Sequence, residues 1–405
     1  MRAYSPPFAL LAVLSLSLAL VAACGGGDGE SKGPAAPVFV PTTGSVAVTE
    51  LATGLPNPWS LAFLPDRRML VTGRLGNLRL YTADGLSFNN INLAGLSNLS
   101  TTGQGGLLDV VVDPAFASNR RIYVSFAESD TGNPTLNGTA VARAELDTGA
   151  LTLVGWQVIY RQTPKVARTA HFGSRLVFDR DGHLFVTLGD RESADQRVFA
   201  QDVSRGNGKI VRITTDGNPA PGNPVIAGGM TGLWSYGHRN PQGAALHPET
   251  GELWTNEHGP QGGDEINRTL AARNYGWPVI SYGQEYGTTT QVGEGTAKAG
   301  MEQPVAYWEK SDGSAWTGGQ KSSIAPSGMA FFTGNIPANW NGSVFVGALA
   351  GTALWRLKFD GTREAGRERL LATRNERIRD VRQGPDGRLY LLTDGASGKL
   401  LRIGG

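Results

Sequence analysis

The chain has 405 residues, with 37 Lys+Arg against 35 Asp+Glu. That balance leaves no basic excess for a nucleic-acid partner, so none is expected. A single cysteine excludes an intramolecular disulfide, and 56 glycines suit many short strands joined by tight turns.

The chain opens with MRAYSPPFALLAVLSLSLALVAAC. One Arg2, an apolar run to Val21 and then Ala22-Ala23-Cys24 read as a signal peptide over residues 1–24. The run is too short and too near the start for an ordinary membrane span. Cys24 after Val-Ala-Ala resembles the lipobox of a bacterial lipoprotein. The plain alternative is a secretory leader whose cysteine has no role. Gly25, not Asp, follows, which by analogy favours the outer membrane. Residues 25–44 begin GGGDGESKGPAAP and read as a flexible tether. The folded domain is then expected over 45–405, in the periplasm or at the cell surface. A lipid on Cys24 would be its contact with a membrane.

From residue 45 one unit returns: an apolar strand, a turn with Pro, Asp, Asn or Gly, and a second apolar strand. It occurs at 61–73, 110–126, 176–190, 244–257, 329–349 and 381–394. Turns such as D-G, T-G and N-G supply the positive φ that hairpins need. No long amphipathic helical pattern is present. A single hairpin cannot bury both faces, and radial stacking supplies the missing contacts. Six such hairpins predict an all-β fold, a six-bladed β-propeller with loop insertions on one face. A pair of β-sandwiches is the competing fold. The last strand, LLRI, and the first, VAVTEL, are expected to share a blade. Insertions at 191–240 and 259–325 are expected to carry function.

No H-E-x-x-H, zinc-type Cys pair or G-x-S-x-G is present. GNGKIV (206–211) lacks the spacing of a P-loop. What remains is a set of polar residues at strand ends. Gln104 lies in GQGGLLDV, His171 in RTAHFGSRLVF, and Asp190 in TLGDR. His238, Arg239 and Asn240 lie in YGHRNPQG. Glu257, Asp264 and Glu265 lie in NEHGPQGGDEIN, where Gly259-Pro260 breaks regular structure. Exposed carbonyls beside carboxylates suit a hard cation such as Ca²⁺. Arg377 and Arg379 are two apart, so a strand would present both on one face. Each also has a plain structural reading: a hydrogen-bonded histidine, a turn glutamine, a solvated acidic pair, an outer-strand salt bridge. Together, a base, several arginines and a cation loop suit a polyanionic cofactor.

These motifs, with LPNPWSLAFLPD, NYGWP, RIRDV and PDGRLYLLTD, resemble the soluble quinoprotein glucose/sorbosone dehydrogenase family, in particular its aldose sugar dehydrogenases. The resemblance runs from about residue 50 to the end. It implies the six-bladed propeller, reached independently above. It implies pyrroloquinoline quinone (PQQ) held with Ca²⁺ over the central channel. His171 then resembles the general base for the sugar C1 hydroxyl, with hydride passing from C1 to the quinone C5, and Asp190 the carboxylate that orients it. Gln104, Arg239 and Asn240 resemble cofactor contacts, Arg239 near the C5 oxygen. Arg377 and Arg379 resemble the residues that bind the cofactor carboxylates. The carbonyls of Gly259 and Pro260 resemble ligands of the cofactor-bound calcium. Glu265 and Tyr275 resemble ligands of a second, structural calcium. One departure stands out: glucose-oxidising members carry a lysine where this chain has Ala350. The expected reaction is oxidation of aldoses to lactones. Electrons would pass to an external acceptor, a small quinone or a cytochrome, since no C-x-x-C-H haem motif is present. A non-catalytic binding propeller and a calcium-dependent lactonase are the alternatives.

Overall fold

The computed structural model describes residues 38–335 and 337–404. The leader, Cys24 and most of the expected tether lie outside them. Twenty-four strands form six four-stranded antiparallel sheets. Each sheet starts on an inner strand: Pro58–Phe63, Leu107–Val112, Leu176–Phe178, Pro241–Leu246, Pro326–Phe332 or Ile378–Gln383. We number the blades I to VI in that order. The six hairpins expected from sequence are the inner two strands of each blade. Of the outer strands, the pair in blade VI was expected as LLRI and VAVTEL; the others were not assigned to blades, and in blades III and IV they include Lys209–Ile213 and Asp264–Arg268, inside the expected insertions.

The second strands show why the blades must stack. Leu184–Leu188 and Leu389–Thr393 are buried at every position, so both faces of each strand are covered. One apolar cluster joins Leu70 and Leu80 of blade I to Val110 and Val124 of blade II. Another joins Phe345 of blade V to Leu391 and Leu401 of blade VI. The ring closes as expected: Val48–Leu55 pairs antiparallel with Gly398–Ile403 and completes blade VI.

Polar staples cross most seams. Thr72 Oγ1 donates to the Leu108 carbonyl, Ser125 Oγ to Ser174 (2.6 Å) and Thr187 Oγ1 to Pro241 (2.9 Å). Asn256 Nδ2 donates to Ser327 (2.9 Å), and Ser327 Oγ to Ile378 (2.6 Å). Each satisfies an inner-strand carbonyl that the neighbouring blade would otherwise bury.

At the axis sits a square of buried charge. Arg175 lies 3.1 Å from both Asp109 and Asp380, and Arg382 lies 2.9 and 3.0 Å from the same two. Asp109 also accepts from Ser60 and from the Leu176 amide, Asp380 accepts from the Leu61 amide, and Arg175 Nε donates to the Gln242 carbonyl. Blade V contributes close approach: a Cβ on Gly328 would lie 2.3 Å from Asp380 Oδ1. All six blades therefore meet this square.

Residues before Ser45 also contact blade V. Thr42 is bonded through its amide to Glu368 (2.8 Å) and through its hydroxyl to Trp340 Nε1 (2.7 Å). Arg356 donates to the Val40 carbonyl (3.1 Å) and lies 5.0 Å from the Phe39 ring. Individual contacts to blade V hold this strap, without the strand periodicity that a sequence reading detects.

Removing one corner of the square leaves two arginines buried around one carboxylate. Asp109→Ala should lower the unfolding free energy by about 3–5 kcal/mol, the usual loss for a broken buried pair. Urea denaturation would measure it, with the fully exposed Val225→Ala as an unchanged control.

Candidate active site

Inner strands start, and second strands end, on one face of the ring. The loops holding the predicted site residues all fall there. Gln104 and His171 precede the inner strands of blades II and III, and Arg239 and Asn240 precede that of blade IV. Asp190 follows the second strand of blade III, and Gly259 and Pro260 follow that of blade IV. Arg377 precedes the inner strand of blade VI and Arg379 lies within it.

His171 Nδ1 lies 2.7 Å from Asp190 Oδ1, and both side chains are buried. The His171 amide donates to Gln104 Oε1 (3.0 Å). The Gly173 amide donates to Asn240 Oδ1 (3.0 Å). Asp190 Oδ2 accepts from Trp277 Nε1 (2.8 Å), and its amide donates to the Arg239 carbonyl (2.8 Å). His171, Asp190, Gln104, Arg239 and Asn240 thus form one bonded group. Its backbone is strained: His171 has φ +50°, and Arg191, Glu192 and Ser193 follow Asp190 with φ +69°, +57° and +62°. Position 189 must be glycine, because a Cβ there would lie 2.0 Å from the His171 carbonyl oxygen.

Burial lowers the His171 pKa, Arg239 lowers it further, and Asp190 pulls it back up. The net shift is downward, so the imidazole is neutral near pH 7. Asp190 is held below its ordinary pKa by His171 and Arg239 against the opposing effect of burial. Ionised Asp190 accepts the Nδ1 proton, leaving the Nε2 lone pair as the basic site.

Arg239 is placed by its own backbone: its amide donates to Glu257 Oε2 (2.6 Å). Arg239 Nε and Asn240 Nδ2 are buried donors with no partner among the described residues, and His258 Nε2 is likewise bare. Arg377 and Arg379 share the single carboxylate of Asp394, at 3.0 and 3.1 Å. Burial, and after it Arg377 and Arg74, work against the charge on Arg379. Arg377 also reaches the Leu349 carbonyl (3.3 Å), next to exposed Ala350. The cleft therefore has spare donors and excess positive charge, which fits a planar polyanion.

The Gly259-Pro260 loop folds tightly onto itself, since a Cβ on Gly259 would lie 2.2 Å from the Gly262 carbonyl oxygen. Asp264 is no solvated acid. It is buried, accepts from the Gly259 and Ile324 amides and from Ser323, and burial raises its pKa to about 6. Glu265 is pushed up to about 8 by burial and by Glu257. Such a carboxylate gains most from a nearby cation. The Tyr275 phenol is committed to the Leu270 amide (2.7 Å) and the Arg268 carbonyl, so its own carbonyl is what it can offer a metal. His238 is structural: Nδ1 bonds Glu257 (3.0 Å), Nε2 bonds Ser235 (2.8 Å), and the ring stacks on Tyr275.

Three contributors were not singled out from sequence. Trp277 lies inside the NYGWP motif, which was noted without a role. His258 directly precedes Gly259-Pro260. Arg191, in GDR, is buried over the Phe172 ring at 3.7 Å and donates to the Arg168 carbonyl (2.6 Å), clamping the loop that carries His171.

The opposite mouth of the channel is different. An apolar hollow of about 450 Å³ there is lined by Phe63, Val111, Phe178, Leu246 and Phe331 and holds none of the site residues. Asp179, Asp181 and His183 cluster at that end, but Arg212 donates to Asp179 (2.6 Å) and lies 3.0 Å from His183 Nδ1, where a cation would sit.

The sequence profile of the Glucose / Sorbosone dehydrogenase family matches residues 55–402. The chain belongs to the glucose/sorbosone dehydrogenase family. It is 43% identical over 364 residues to the aldose sugar dehydrogenase YliI of Escherichia coli, covering 89% of this chain and 93% of that one. A solved glucose dehydrogenase is 46% identical with a TM-score of 0.80, covering 89% of this chain and 99% of the other. The PQQ-bound aldose sugar dehydrogenase of Streptomyces coelicolor is 29% identical with a TM-score of 0.72, covering 90% and 99%. Glucose/sorbosone dehydrogenases are oxidoreductases, and the six-bladed ring is the fold they share with this chain.

The His171–Asp190–Trp277 chain makes opposed predictions. Asp190→Asn removes the charge that raises the His171 pKa, so that pKa should fall further. Trp277→Phe strips a donor from Asp190 and strengthens its field on His171, so that pKa should rise. Carbon-13 NMR titration of the histidines checks both signs.

Proposed function

We propose that this glucose/sorbosone dehydrogenase uses PQQ and Ca²⁺ to oxidise aldose sugars at C1 to lactones and passes the electrons to an external acceptor. The observation that carries this reading is a neutral, carboxylate-oriented His171 in a cleft of unpartnered donors and surplus arginines. A solved relative named as PQQ-bound supports the cofactor.

Arg377 and Arg379 would bind the cofactor carboxylates, with Arg239, Asn240 and Gln104 around its ring. The carbonyls of Gly259 and Pro260 would hold the calcium beside it, and Glu265 and Tyr275 the second calcium. When bound, PQQ supplies the hydride acceptor for the sugar C1–H. His171 Nε2 takes the proton of the C1 hydroxyl. Asp190 keeps the imidazole in the right tautomer and stabilises its charged form as the proton arrives. Arg239 places a fixed positive charge where negative charge develops, and burial makes it effective. A propeller that only binds carbohydrate has no use for a base with an orienting carboxylate.

For its location we propose export through the N-terminal leader, with Cys24 as a lipid anchor to the outer membrane. Radiolabelled palmitate should enter the wild-type protein in a bacterial host and not Cys24→Ser.

The decisive experiment is reconstitution of purified apo-protein with PQQ and Ca²⁺, followed by dye reduction with a panel of aldoses. Turnover and a bound quinone spectrum are expected; absence of both with every sugar rejects the reading. In the active protein, His171→Ala should keep the quinone spectrum and lose turnover about 10²-fold or more, the usual contribution of a positioned base.

The raised pKa of Glu265 links calcium to pH. The metal must displace a proton held up to about pH 8, so affinity should climb as pH rises toward that value. Thermal shift with and without Ca²⁺ between pH 6 and 9 measures this, and Glu265→Gln should flatten it.

A further inference from the structure

Arg239 is held from three sides. Nη1 donates to the His258 carbonyl (3.1 Å) and Nη2 to the Tyr286 hydroxyl (3.1 Å). Its guanidinium centre lies 5.2 Å from the Trp277 ring and 6.0 Å from the Tyr286 ring. Tyr286 is 64% exposed, so its ring adds little to the core. What the phenol does contribute is the bond to Arg239.

The loop that carries Tyr286 is tied at three points. Glu285 pairs with Arg197, with Nη1 3.0 Å from Oε2. The Gly287 amide donates to Gln261 Oε1 (2.8 Å), and the Lys321 amide to Gln284 Oε1 (2.8 Å). Arg197 closes the short helix Ala194–Arg197, just after Asp190, and Gln261 follows Pro260. The loop 284–291 therefore bridges the segment of the base's carboxylate and the candidate cation loop, with its tip on Arg239. Trp277 lies 5.8 Å from Arg197 and 5.2 Å from Arg239 and donates to Asp190, so one indole joins Arg239 to the segment that carries the carboxylate.

We propose that Tyr286, clamped by the Glu285–Arg197 pair, is a positioning residue that fixes Arg239 for sugar oxidation, an inference that rests on the function proposed above. An unrestrained arginine samples many rotamers, and its charge must then be organised during the reaction. A guanidinium fixed beforehand needs no such reorganisation. The His258 carbonyl and the Tyr286 hydroxyl hold its two terminal nitrogens and leave Nε, a buried donor without a partner, for the bound state. The contribution belongs to the transition state, so its loss appears in kcat and not in KM.

The test compares Tyr286→Phe and Glu285→Gln with wild type. PQQ titration of the apo-protein gives Kd, steady-state dye reduction gives kcat and KM, and C1-deuterated sugar gives the isotope effect. Tyr286→Phe should keep Kd and KM within about 2-fold, lower kcat about 10-fold and enlarge the isotope effect, as loss of one preorganised contact would. Glu285→Gln should lower kcat in the same direction and raise deuterium exchange of 284–291 in the apo-protein. Wild-type kcat and isotope effect in Tyr286→Phe would overturn the proposal. So would a loss confined to PQQ affinity, since the phenol would then hold the cofactor and not the arginine. Unchanged exchange in Glu285→Gln would remove the clamp. Wild-type protein without turnover would fail first, and would remove the proposed function along with this inference.

Discussion

Asp109, Arg175, Asp380 and Arg382 meet at the axis, and the ring is built around that meeting. Two carboxylates and two guanidinium groups at 2.9–3.1 Å neutralise each other, with Asp109, Arg175 and Asp380 buried and Arg382 reaching the edge of the opposite hollow. Buried charges tolerate little displacement, because each must keep its partners. The four residues sit on or next to three inner strands and also bind blades I and IV. A slip of any of these strands would break an ion pair or strand a backbone amide. Apolar seams between blades slide more easily, so the polar square fixes what they leave loose. The segment that supplies Arg175 to the square also carries His171, four residues earlier.

Around His171 several locally unfavourable features fall together. His171 and three residues after Asp190 sit at positive φ. Arg239 and Asn240 keep buried donors without partners. Each is unfavourable for the isolated fold. All lie within one bonded group around His171. Positive φ and unmet hydrogen bonds occur elsewhere in the ring too, at Asn57 and Thr352 or at Tyr160 and Trp355, but at His171 they coincide with a buried imidazole–carboxylate pair and surplus arginines.

The propeller was legible because its inner hairpins repeat: an apolar run, a turn with positive φ, an apolar run. Outside blade VI, the outer strands were not. Phe88–Asn90 is exposed throughout and Arg363–Leu370 is mostly polar, so neither has the apolar signature of an inner strand. The strap at Phe39–Thr42 escaped for a related reason, being held by single contacts to Glu368, Trp340 and Arg356. In the site, His171, Asp190 and Arg239 stood out as ionisable residues near glycines, and Arg377 and Arg379 as a pair two apart in a strand. Trp277 was passed over because an indole in a loop looks like core. Its importance comes from meeting Asp190, eighty-seven residues away in the chain, and no local pattern carries that distance. Ala350 marked a missing cation in sequence. In space, Arg377 reaches the neighbouring carbonyl, so the position lies beside a guanidinium.

The state of His171 follows from competition between its neighbours. Asp190 alone would favour the imidazolium and leave a poor base at neutral pH. Burial and Arg239 oppose it and prevail, so the ring rests neutral yet keeps a carboxylate ready for the proton. On the proposed function Arg239 would act twice: it would keep His171 free to accept a proton, and it would stand beside the place where negative charge grows. Both effects depend on where its guanidinium sits. The contacts that hold it, the Glu257 carboxylate on its amide, the His258 carbonyl, the Trp277 ring and the Tyr286 hydroxyl, are thus as much a part of the chemistry as the histidine itself.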